Sequence, residues 1–495
     1  MKRQVVVIMT DTQGTNMLGC YGHHGLHTPR LDRLASEGIR FDRAYTCQPV
    51  CGPARAALFT GQFPHTAGSW ANSMPLGEIT RTIGQRLTGA GIRTAYIGKW
   101  HLDGSDYFGT GQCPDGWDPA YWYDMRDYLE ELSPDERLLS RKAEANRNPG
   151  VQREFTFGHR CSNRAIDFLD KHNAEDFLLV LSYDEPHDPF LAPEPYPSLF
   201  RDFVYPKKAN VADPLTDKPE HQRVWAGRAL TSDPAKVKIG DPDYFACNAF
   251  VDDEIGRVLD AVDRFAPGAL VIFTSDHGDL LGSHRLCNKG PVAYEEAANI
   301  PLIVRWRDQA PAGAASRNPV SHIDVVPTLL DYFGQAPLAM LEGRSLLPCF
   351  HDPAVQVNEA VFIEFGRYET DHDGFGGFQP MRAICDGRHK LVINLLTSDE
   401  LYDLDHDPEE MTNLIADPGS AALRDGLHDK LLDWMNRTRD PFRGYYWERR
   451  PWRTDARPAA WSCSGMTRQR VVEPGEPQQL DYNTGLDILE HTRPK

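Results

Sequence analysis

The chain has 495 residues, of which 41% are hydrophobic and 25% charged, and its formal net charge is −18. These values are typical of a globular protein with one large and one smaller domain, or with two to three separate domains. The negative charge argues against a nucleic acid as the main partner, while a small anionic substrate stays compatible where local cations outweigh it.

Residues 5–10 form a short apolar run that leads directly into Asp11, which is typical of a buried strand rather than of a signal peptide. No stretch reaches the roughly 18 consecutive apolar residues that a membrane-spanning helix needs. The 10 cysteines are scattered, and without an export signal we expect most of them to be reduced core thiols. We therefore predict a cytoplasmic protein that contacts no membrane.

Strands and helices alternate along the first 355 residues, which predicts an α/β domain with a largely parallel sheet. In chain order the predicted elements are a strand at 5–10, a helix between Thr28 and Gly38, a helix between Pro53 and Gly61, a strand at 93–97, a helix at 162–171, a strand at 177–182, a helix at 244–264, strands at 269–274 and 300–304, and a helix at 324–333.

The pattern changes after about residue 355. Short strands at 361–365, 381–385, 390–395 and 400–404 predict an antiparallel meander, and a helix at 421–435 follows. We expect a tail that is irregular and lies on the body or on a partner subunit, with Trp452, Arg453 and Trp461 as contacts in a possible homo-oligomer. The predicted units are thus an α/β domain at 1–355, a subdomain at 356–440 and a tail at 441–495.

Polar residues follow four of the predicted strands. The four sequences are Thr10-Asp11-Thr12-Gln13, Gly98-Lys99-Trp100-His101, Asp184-Glu185-Pro186-His187 and Thr274-Ser275-Asp276-His277-Gly278. Because ligands of parallel α/β sheets bind beyond the carboxyl ends of the strands, we expect these groups to share one rim.

Asp11, Asp276 and His277 form a candidate divalent-cation set at that rim. Oxygen donors suit Ca²⁺ or Mg²⁺, and a histidine also admits Mn²⁺ or Zn²⁺. A single Asp after a strand is more often a turn or capping residue, but the matched endings of two strands favour the metal site.

Cys51 is predicted to lie just ahead of a helix whose first turn contains Pro53. Free N–H groups at a helix start favour negative charge, and Arg55, about one turn further on, can reach the same point to bind an oxyanion. Most lone cysteines are inert core residues, but that interpretation does not account for the Gly-Pro-x-Arg sequence that follows.

The sequence Cys51-Gly52-Pro53-Ala54-Arg55, followed by Thr60-Gly61, resembles the type I sulfatase motif of the alkaline phosphatase superfamily. Further matching segments are 98–102, Pro186-His187, Thr274–Gly278, Lys289 and 400–409, and residues 10–13 and 374–377 look closest to bacterial sulfatases of the cytoplasmic type. The resemblance implies a large mixed, mostly parallel sheet between helices, with a smaller C-terminal subdomain of antiparallel strands and a helix.

The resemblance also implies hydrolysis of a sulfate monoester by a formylglycine, which a maturation enzyme makes from Cys51. It implies a divalent metal, Ca²⁺ first and Mg²⁺ or Mn²⁺ as alternatives, held by Asp11, Thr12, Cys51, Asp276 and His277. Most sulfatases have a second acid where this chain has Thr12, so a ligand role for Thr12 rests on a neutral hydroxyl.

Five further residues would act on the sulfate group by the same resemblance. Arg55, Lys99 and Lys289 would bind the sulfuryl oxygens. His187 or Lys289 would protonate the leaving alcohol, and His101 would act as the base that releases sulfate.

The expected substrate is a small sulfated molecule, and the family favours a sulfated sugar. Candidate contacts from loops above the rim are Trp70, Asp103, Arg367, His372 and Asp373, with ordinary loop packing an equal alternative.

Two other functions stay open on the sequence. A phosphonate or phosphodiester hydrolase of the same superfamily would share the Cys51 segment but carry uncharged residues in place of Lys99 and His101. A non-catalytic carbohydrate-binding relative would have lost part of the set that this chain keeps.

Overall fold

The structure is a computed structural model that describes residues 2–104, 106–146, 150–234 and 239–453. The strands in these ranges are β1 (Gln4–Thr10), β2 (Ile39–Phe41), β3 (Ala44–Tyr45), β4 (Arg93–Gly98), β5 (Phe177–Ser182), β6 (Leu270–Ser275), β7 (Leu302–Arg305), β8 (Ala314–Ser316), β9 (Val320–Ser321), β10 (Val361–Phe365), β11 (Met381–Cys385), β12 (His389–Asn394) and β13 (Glu400–Asp403).

Most of the helices are short, and the longest are α7, α10 and α14. The α-helices are α1 (Pro29–Ser36), α2 (Cys51–Thr60), α3 (Pro64–Ala67), α4 (Ile83–Thr88), α5 (Met125–Glu131), α6 (Pro134–Leu139), α7 (Phe157–His172), α8 (Tyr196–Phe200), α9 (Glu220–Ala226), α10 (Pro242–Phe265), α11 (Glu295–Ala298), α12 (Val325–Tyr332), α13 (Leu347–His351), α14 (Ala421–Arg437) and α15 (Tyr445–Glu448). None of the described helices is long and apolar enough to cross a membrane.

A seven-stranded sheet in the order β4-β5-β1-β6-β7-β2-β8 forms the centre of the large domain. Strands β4, β5, β1 and β6 pair in parallel, β7 is antiparallel to β6 and β2, and β8 pairs in parallel with β2. The predicted large, mixed and mostly parallel sheet is therefore confirmed. The strand expected at 300–304 is present as β7, but it runs opposite to its neighbours, a direction that an apolar run does not specify.

Helices cover both faces of this sheet, because alternate residues of a strand point to opposite sides. On β1, Val5, Val7 and Met9 pack with α2, α4 and α12. Val6 and Ile8 pack with α1, α7 and α10 on the other face. The run of seven buried residues in β1 follows from this double cover.

Strands β10 to β13 form a four-stranded antiparallel sheet, as the sequence predicts. One face packs against α14 and the other against the large domain. Beyond α14, Arg450 and Trp452 both donate to the carboxylate of Asp399, at 2.8 Å each, so this part of the predicted tail lies on the small sheet. Trp461 and the rest of that tail, from residue 454, lie outside the described residues.

Candidate active site

The four strands that end in polar residues are neighbours in the sheet and run in the same direction. Their carboxyl ends therefore meet at one edge, as predicted. Asp11, Lys99 and Asp276 at this edge are almost fully buried. Burial of charged groups is costly unless each has a partner of opposite charge, so the contacts among them define the site.

Cys51 lies at this edge and is 2% exposed. It is the first residue of α2, so the helix begins two residues earlier than the sequence indicated, and Gly61 ends it as predicted in a left-handed conformation. A residue outside the helix binds its first turn: the Gly52 N–H donates to Asn72 Oδ1 at 2.8 Å. The backbone N–H of Asn72 in turn donates to the carbonyl oxygen of Tyr368 at 2.9 Å.

Asp11, Cys51, Asp276 and His277 each offer one ligand atom, and these atoms lie within 4.8 Å of one another. The Cys51 Sγ is 3.1 Å from His277 Nε2 and 3.6 Å from Asp11 Oδ1. His277 Nδ1 lies 2.9 Å from the carbonyl oxygen of Gly278, which fixes the ring with its Nε2 lone pair toward the cluster.

The electrostatics of this cluster suit a cation. Burial raises the pKa of Asp276, and the adjacent Asp11 carboxylate raises it further. Burial lowers the pKa of His277, so its ring is neutral. Two crowded buried carboxylates and a neutral imidazole are the donor set of a divalent metal, so the residues present fit the metal that the sequence implies.

Thr12 contacts both carboxylates of the cluster. Its N–H donates to Asp276 Oδ1 at 3.1 Å, and its hydroxyl donates to Asp11 Oδ1 at 2.7 Å. The residue has a left-handed backbone with φ of 60°, which a β-branched residue rarely adopts. These two hydrogen bonds hold it there, so Thr12 orients the carboxylates whether or not it binds metal itself.

Arg55 lies beneath the cluster and is fully buried. Its guanidinium donates to Asp11 Oδ2 at 3.0 Å and to Asp276 Oδ2 at 3.2 Å. It also donates to the carbonyl oxygen of Lys99 at 2.7 Å and to Ser182 Oγ at 2.8 Å. The arginine therefore joins α2 to four strand ends, and its contacts in the structure are with acceptors of the protein.

Lys99 and His101 follow β4 and lie next to the cluster. Lys99 Nζ is 2.8 Å from Asp11 Oδ2 and 3.1 Å from Asp184 Oδ1. Burial lowers the pKa of Lys99, but Asp11 and Asp184 outweigh this effect and keep it charged. Burial, with Lys99 and Arg55 nearby, holds the pKa of His101 well below its usual value, so this histidine is neutral.

His187 and Lys289 face each other, with Nε2 and Nζ 3.3 Å apart. Burial and the charge on Lys289 lower the pKa of His187, but carboxylates that include Asp11 and Asp188 raise it to about 9. Burial lowers the pKa of Lys289, and Cys51 and Asp11 are among the groups that raise it above its usual value. At neutral pH two positive charges thus lie side by side, an arrangement that a bound anion would stabilise.

A family model with the description Sulfatase matches residues 3–335. The chain belongs to the sulfatase family. It is therefore a sulfuric ester hydrolase of the alkaline phosphatase superfamily, and the resemblance drawn from the Cys51 motif is confirmed. A second model, N-sulphoglucosamine sulphohydrolase, C-terminal, matches residues 282–437.

The sulfatase is similar over most of its length to known proteins. It is 47% identical over 505 residues to the uncharacterised sulfatase YidJ of Escherichia coli strain K12, covering 98% of this chain and 97% of that one. A solved structure in complex with its substrate, D-glucosamine-2-N,6-O-disulfate, has a TM-score of 0.73 at 22% identity, covering 90% of this chain and 99% of that one. The phosphonate monoester hydrolase of Agrobacterium radiobacter has a TM-score of 0.71 at 24% identity, covering 88% and 96%. The last two show a shared fold.

The substrate residues predicted for the sulfatase lie in loops, and each of them contacts another part of the protein. Arg367 Nε donates to Asp373 Oδ1 at 2.6 Å, and His372 Nε2 is 3.0 Å from Glu369 Oε2. Asp103 Oδ2 accepts from the N–H of Thr110 at 2.7 Å. The Trp70 ring packs over Gly366, where a Cβ would lie 3.0 Å from the ring.

Four residues hold the sulfatase site together through contacts that the sequence did not predict. They are Asn72 at the start of α2, Ser182 and Asp184 at the end of β5, and Tyr107 beside Lys99. Asp184 begins one of the four polar sequences and could have been included. Asn72 and Tyr107 come from loops, and nothing in their local sequence indicates a long-range contact.

Proposed function

We propose that this sulfatase hydrolyses a sulfate monoester of a sugar, with a formylglycine made from Cys51 by a maturation enzyme and with a divalent metal. Ca²⁺ is the first choice, with Mg²⁺ or Mn²⁺ as alternatives. The observation that carries the proposal is the position of Cys51 in one cluster with Asp11, Asp276 and His277. Lys289, which contacts His187, lies close enough to Cys51 to interact with it electrostatically.

Asp11, Asp276 and His277 would hold the cation, with residue 51 beside them. When bound, the cation supplies Lewis-acid polarisation of the sulfuryl oxygens, and a formylglycine supplies the attacking oxygen. Arg55 and Thr12 bind the carboxylates from behind and keep their geometry fixed before substrate arrives. Such preorganisation is a large part of electrostatic catalysis.

Lys99, His187 and Lys289 give the site its affinity for an anion. All three are buried or nearly so, and a charge in a water-poor site acts far more strongly than one on the surface. The sulfate ester would lie against His187 and Lys289 and reduce the repulsion between these two positive charges. Local cations thus outweigh the formal net charge of −18.

The protonation states of two histidines indicate which residue gives and which accepts a proton in the reaction. His187 is cationic at neutral pH, so it or the adjacent Lys289 can donate a proton to the leaving alcohol. His101 is neutral because burial lowers its pKa, so it can accept a proton in the step that releases sulfate. The Nδ1 atom of His101 has no hydrogen-bond partner among the described residues, which leaves a ring nitrogen available.

A sugar as the alcohol is supported by the second family model, whose description names an N-sulphoglucosamine sulphohydrolase. It is also the substrate class in the complex that shares the fold. Trp70, Asp103, Arg367, His372 and Asp373 stay the proposed contacts with the sugar. Arg367 and Asp373 bind each other, and His372 and Asp103 bind other residues of the protein, so sugar hydroxyls would have to replace or extend these hydrogen bonds.

Peptide mass spectrometry tests the proposal, on protein produced with a formylglycine-generating enzyme. We expect an aldehyde at residue 51 and hydrolysis of 4-nitrophenyl sulfate and of sulfated monosaccharides. The Cys51→Ala variant is the control and should lose turnover. Full activity with only a thiol at residue 51 would contradict the formylglycine mechanism, and turnover by Cys51→Ala would remove the nucleophile altogether.

A phosphonate or phosphodiester hydrolase is the second candidate, favoured by the fold shared with the phosphonate monoester hydrolase. Lys99 and His101 favour the sulfate ester, because the phosphonate and phosphodiester hydrolases would carry uncharged residues at these positions. Both side chains are buried next to the cluster. Comparing turnover of an aryl sulfate and an aryl phosphonate monoester decides between them. We expect the sulfate to be the better substrate.

A further inference from the structure

Tyr107 lies in the loop between β4 and α5 and contacts the proposed catalytic residues on several sides. Its ring covers the ammonium group of Lys99, with Nζ 4.0 Å from the ring centroid. The rings of Tyr107 and His101 meet edge to face with centroids 5.7 Å apart, and the ring of His187 lies 5.2 Å away.

The Tyr107 hydroxyl has a defined direction. It donates to Asp184 Oδ1, the same oxygen that binds Lys99 Nζ at 3.1 Å. Because its only proton is used in this bond, the Tyr107 oxygen can only accept from other neighbours. One such neighbour is His187 Nδ1, at 3.1 Å.

His187 Nδ1 is therefore surrounded by acceptors alone. Besides the Tyr107 oxygen, the carboxylate of Asp188 lies 2.9 Å away and the backbone carbonyl of Asp188 lies 3.0 Å away. Nδ1 must carry a proton in both charge states of the ring. The atom that gains or loses a proton is then Nε2, which lies beside Lys289.

We propose that Tyr107 is a positioning residue of the sulfatase reaction, whose hydroxyl holds His187 with Nε2 toward the leaving alcohol and holds Asp184 against Lys99. This inference rests on the proposed function, because it assumes that His187 or its neighbour Lys289 protonates the leaving group. Tyr107 itself does not touch the reacting atoms; it acts through His187 and Asp184.

The test compares Tyr107→Phe, which keeps the ring over Lys99 and removes only the hydroxyl, with the wild-type protein. Two substrates are used: a sulfated monosaccharide, whose alcohol is a poor leaving group, and 4-nitrophenyl sulfate, whose phenolate leaves readily. We expect kcat for the sugar to fall by about 10- to 100-fold, a part of the usual contribution of a general acid. We expect kcat for the aryl sulfate to fall by less than about 3-fold, with KM for both nearly unchanged.

Tyr107→Leu separates the role of the ring from that of the hydroxyl. Without the ring, Lys99 loses its aromatic cover, so KM should rise for both substrates in addition to the loss in kcat for the sugar. Tyr121→Phe is the matched control, because the Tyr121 hydroxyl also lies between an acid and a histidine, 3.4 Å from Asp167 and 3.2 Å from His172, outside the site. It should leave the ratio of the two kcat values as it is.

Equal losses for both substrates in Tyr107→Phe, with or without a lower melting temperature, would overturn the inference and leave Tyr107 a structural role only. Wild-type kinetics in Tyr107→Phe would overturn it as well. A wild-type protein without sulfatase turnover, or with turnover that does not need residue 51, would instead mark the failure of the proposed function.

Discussion

The Sγ atom of Cys51 lies 3.1 Å from Nε2 of His277, the ring nitrogen that carries no proton. His277 is held in this tautomer by the carbonyl oxygen of Gly278, and burial keeps its pKa low. The first helical residue of α2 and the end of β6 thus meet at a nitrogen lone pair. Asp11 and Asp276 complete this group of candidate metal ligands.

Replacing His277 by Ala should abolish the stabilisation of the fold by a divalent metal. A ligand at 100 times its Kd raises the free energy of unfolding by about 2.7 kcal/mol, so Ca²⁺ should raise the melting temperature of the wild-type protein measurably. The variant should show no such rise. His406→Ala is the control, since 76% of the His406 side chain is exposed. A Ca²⁺ response in His277→Ala equal to that of the control would remove His277 from the metal site.

Replacing Thr12 by Val removes a hydroxyl while keeping a β-branched side chain of similar size. If Thr12 only orients Asp11 and Asp276, metal affinity should fall by about 10- to 100-fold, the usual effect of an outer partner of a metal ligand. Isothermal titration of Mg²⁺ and Ca²⁺ into metal-free protein measures it. Unchanged affinity would show that the hydroxyl bond to Asp11 has no such effect, and complete loss of binding would instead indicate that Thr12 is a ligand.

Replacing Arg55 by Ala should destabilise the protein by about 3–5 kcal/mol, because it leaves Asp11 and Asp276 buried without their shared partner. Addition of Ca²⁺ should recover part of the loss, since the metal supplies positive charge to the same carboxylates. Arg317→Ala is the matched control, because its ion pair with Asp405 is exposed and should contribute less than about 1 kcal/mol. Chemical unfolding with and without Ca²⁺ measures both, and similar values for the two variants would contradict the argument.

Replacing Glu185 by Gln should change how stability depends on pH. Burial and the neighbouring Asp184 raise the pKa of Glu185 from 4.5 to about 8, and its Oε2 has no hydrogen-bond partner among the described residues. The folded protein keeps a proton there that the unfolded chain has lost, so this stabilising contribution falls as pH rises from 4.5 to 8. Melting temperatures across this range should fall more steeply for the wild-type protein than for Glu185→Gln.

Glu154→Gln replaces an exposed glutamate nearby and serves as the control for that experiment. It should melt with the pH dependence of the wild-type protein. Parallel curves for Glu185→Gln and wild type would mean that Glu185 is ionised in the folded state.

Much of the fold could be predicted because it depends on local patterns. Residues 5–10 are apolar and β-branched, since β1 is covered by helices on both faces, and this pattern is visible in the sequence. The similar endings after Thr10 and Thr274 predicted that two strands deliver acids to one edge, and β1 and β6 are neighbours. The direction of β7 could not be predicted from the sequence, because an apolar run looks the same in either direction.

Local sequence patterns predicted the site residues that follow a strand or begin a helix, whereas Lys289, which lies in a loop, was predicted only through the family resemblance. Asn72 and Tyr107 lie in loops and reach the site through contacts that depend on how those loops fold. Gly104 and Gly109, with φ of 70° and 81°, shape the turn that carries Tyr107, but glycines occur in every loop. The ion pair between Arg367 and Asp373 could not be predicted from the sequence either, since it depends on a loop conformation and not on a periodic pattern.

Asn72 has a consequence for how such enzymes diversify. Its side chain fixes the start of the helix that begins at Cys51, and its backbone binds the loop that carries Arg367 and Asp373 through the carbonyl oxygen of residue 368. Every amino acid has that oxygen, so the side chains of the loop can change while Cys51 stays in place. Insertions or deletions that move the backbone at 368 would disturb Cys51 as well. On the proposed function, new specificities would therefore arise more readily by substitution in this loop than by a change in its length.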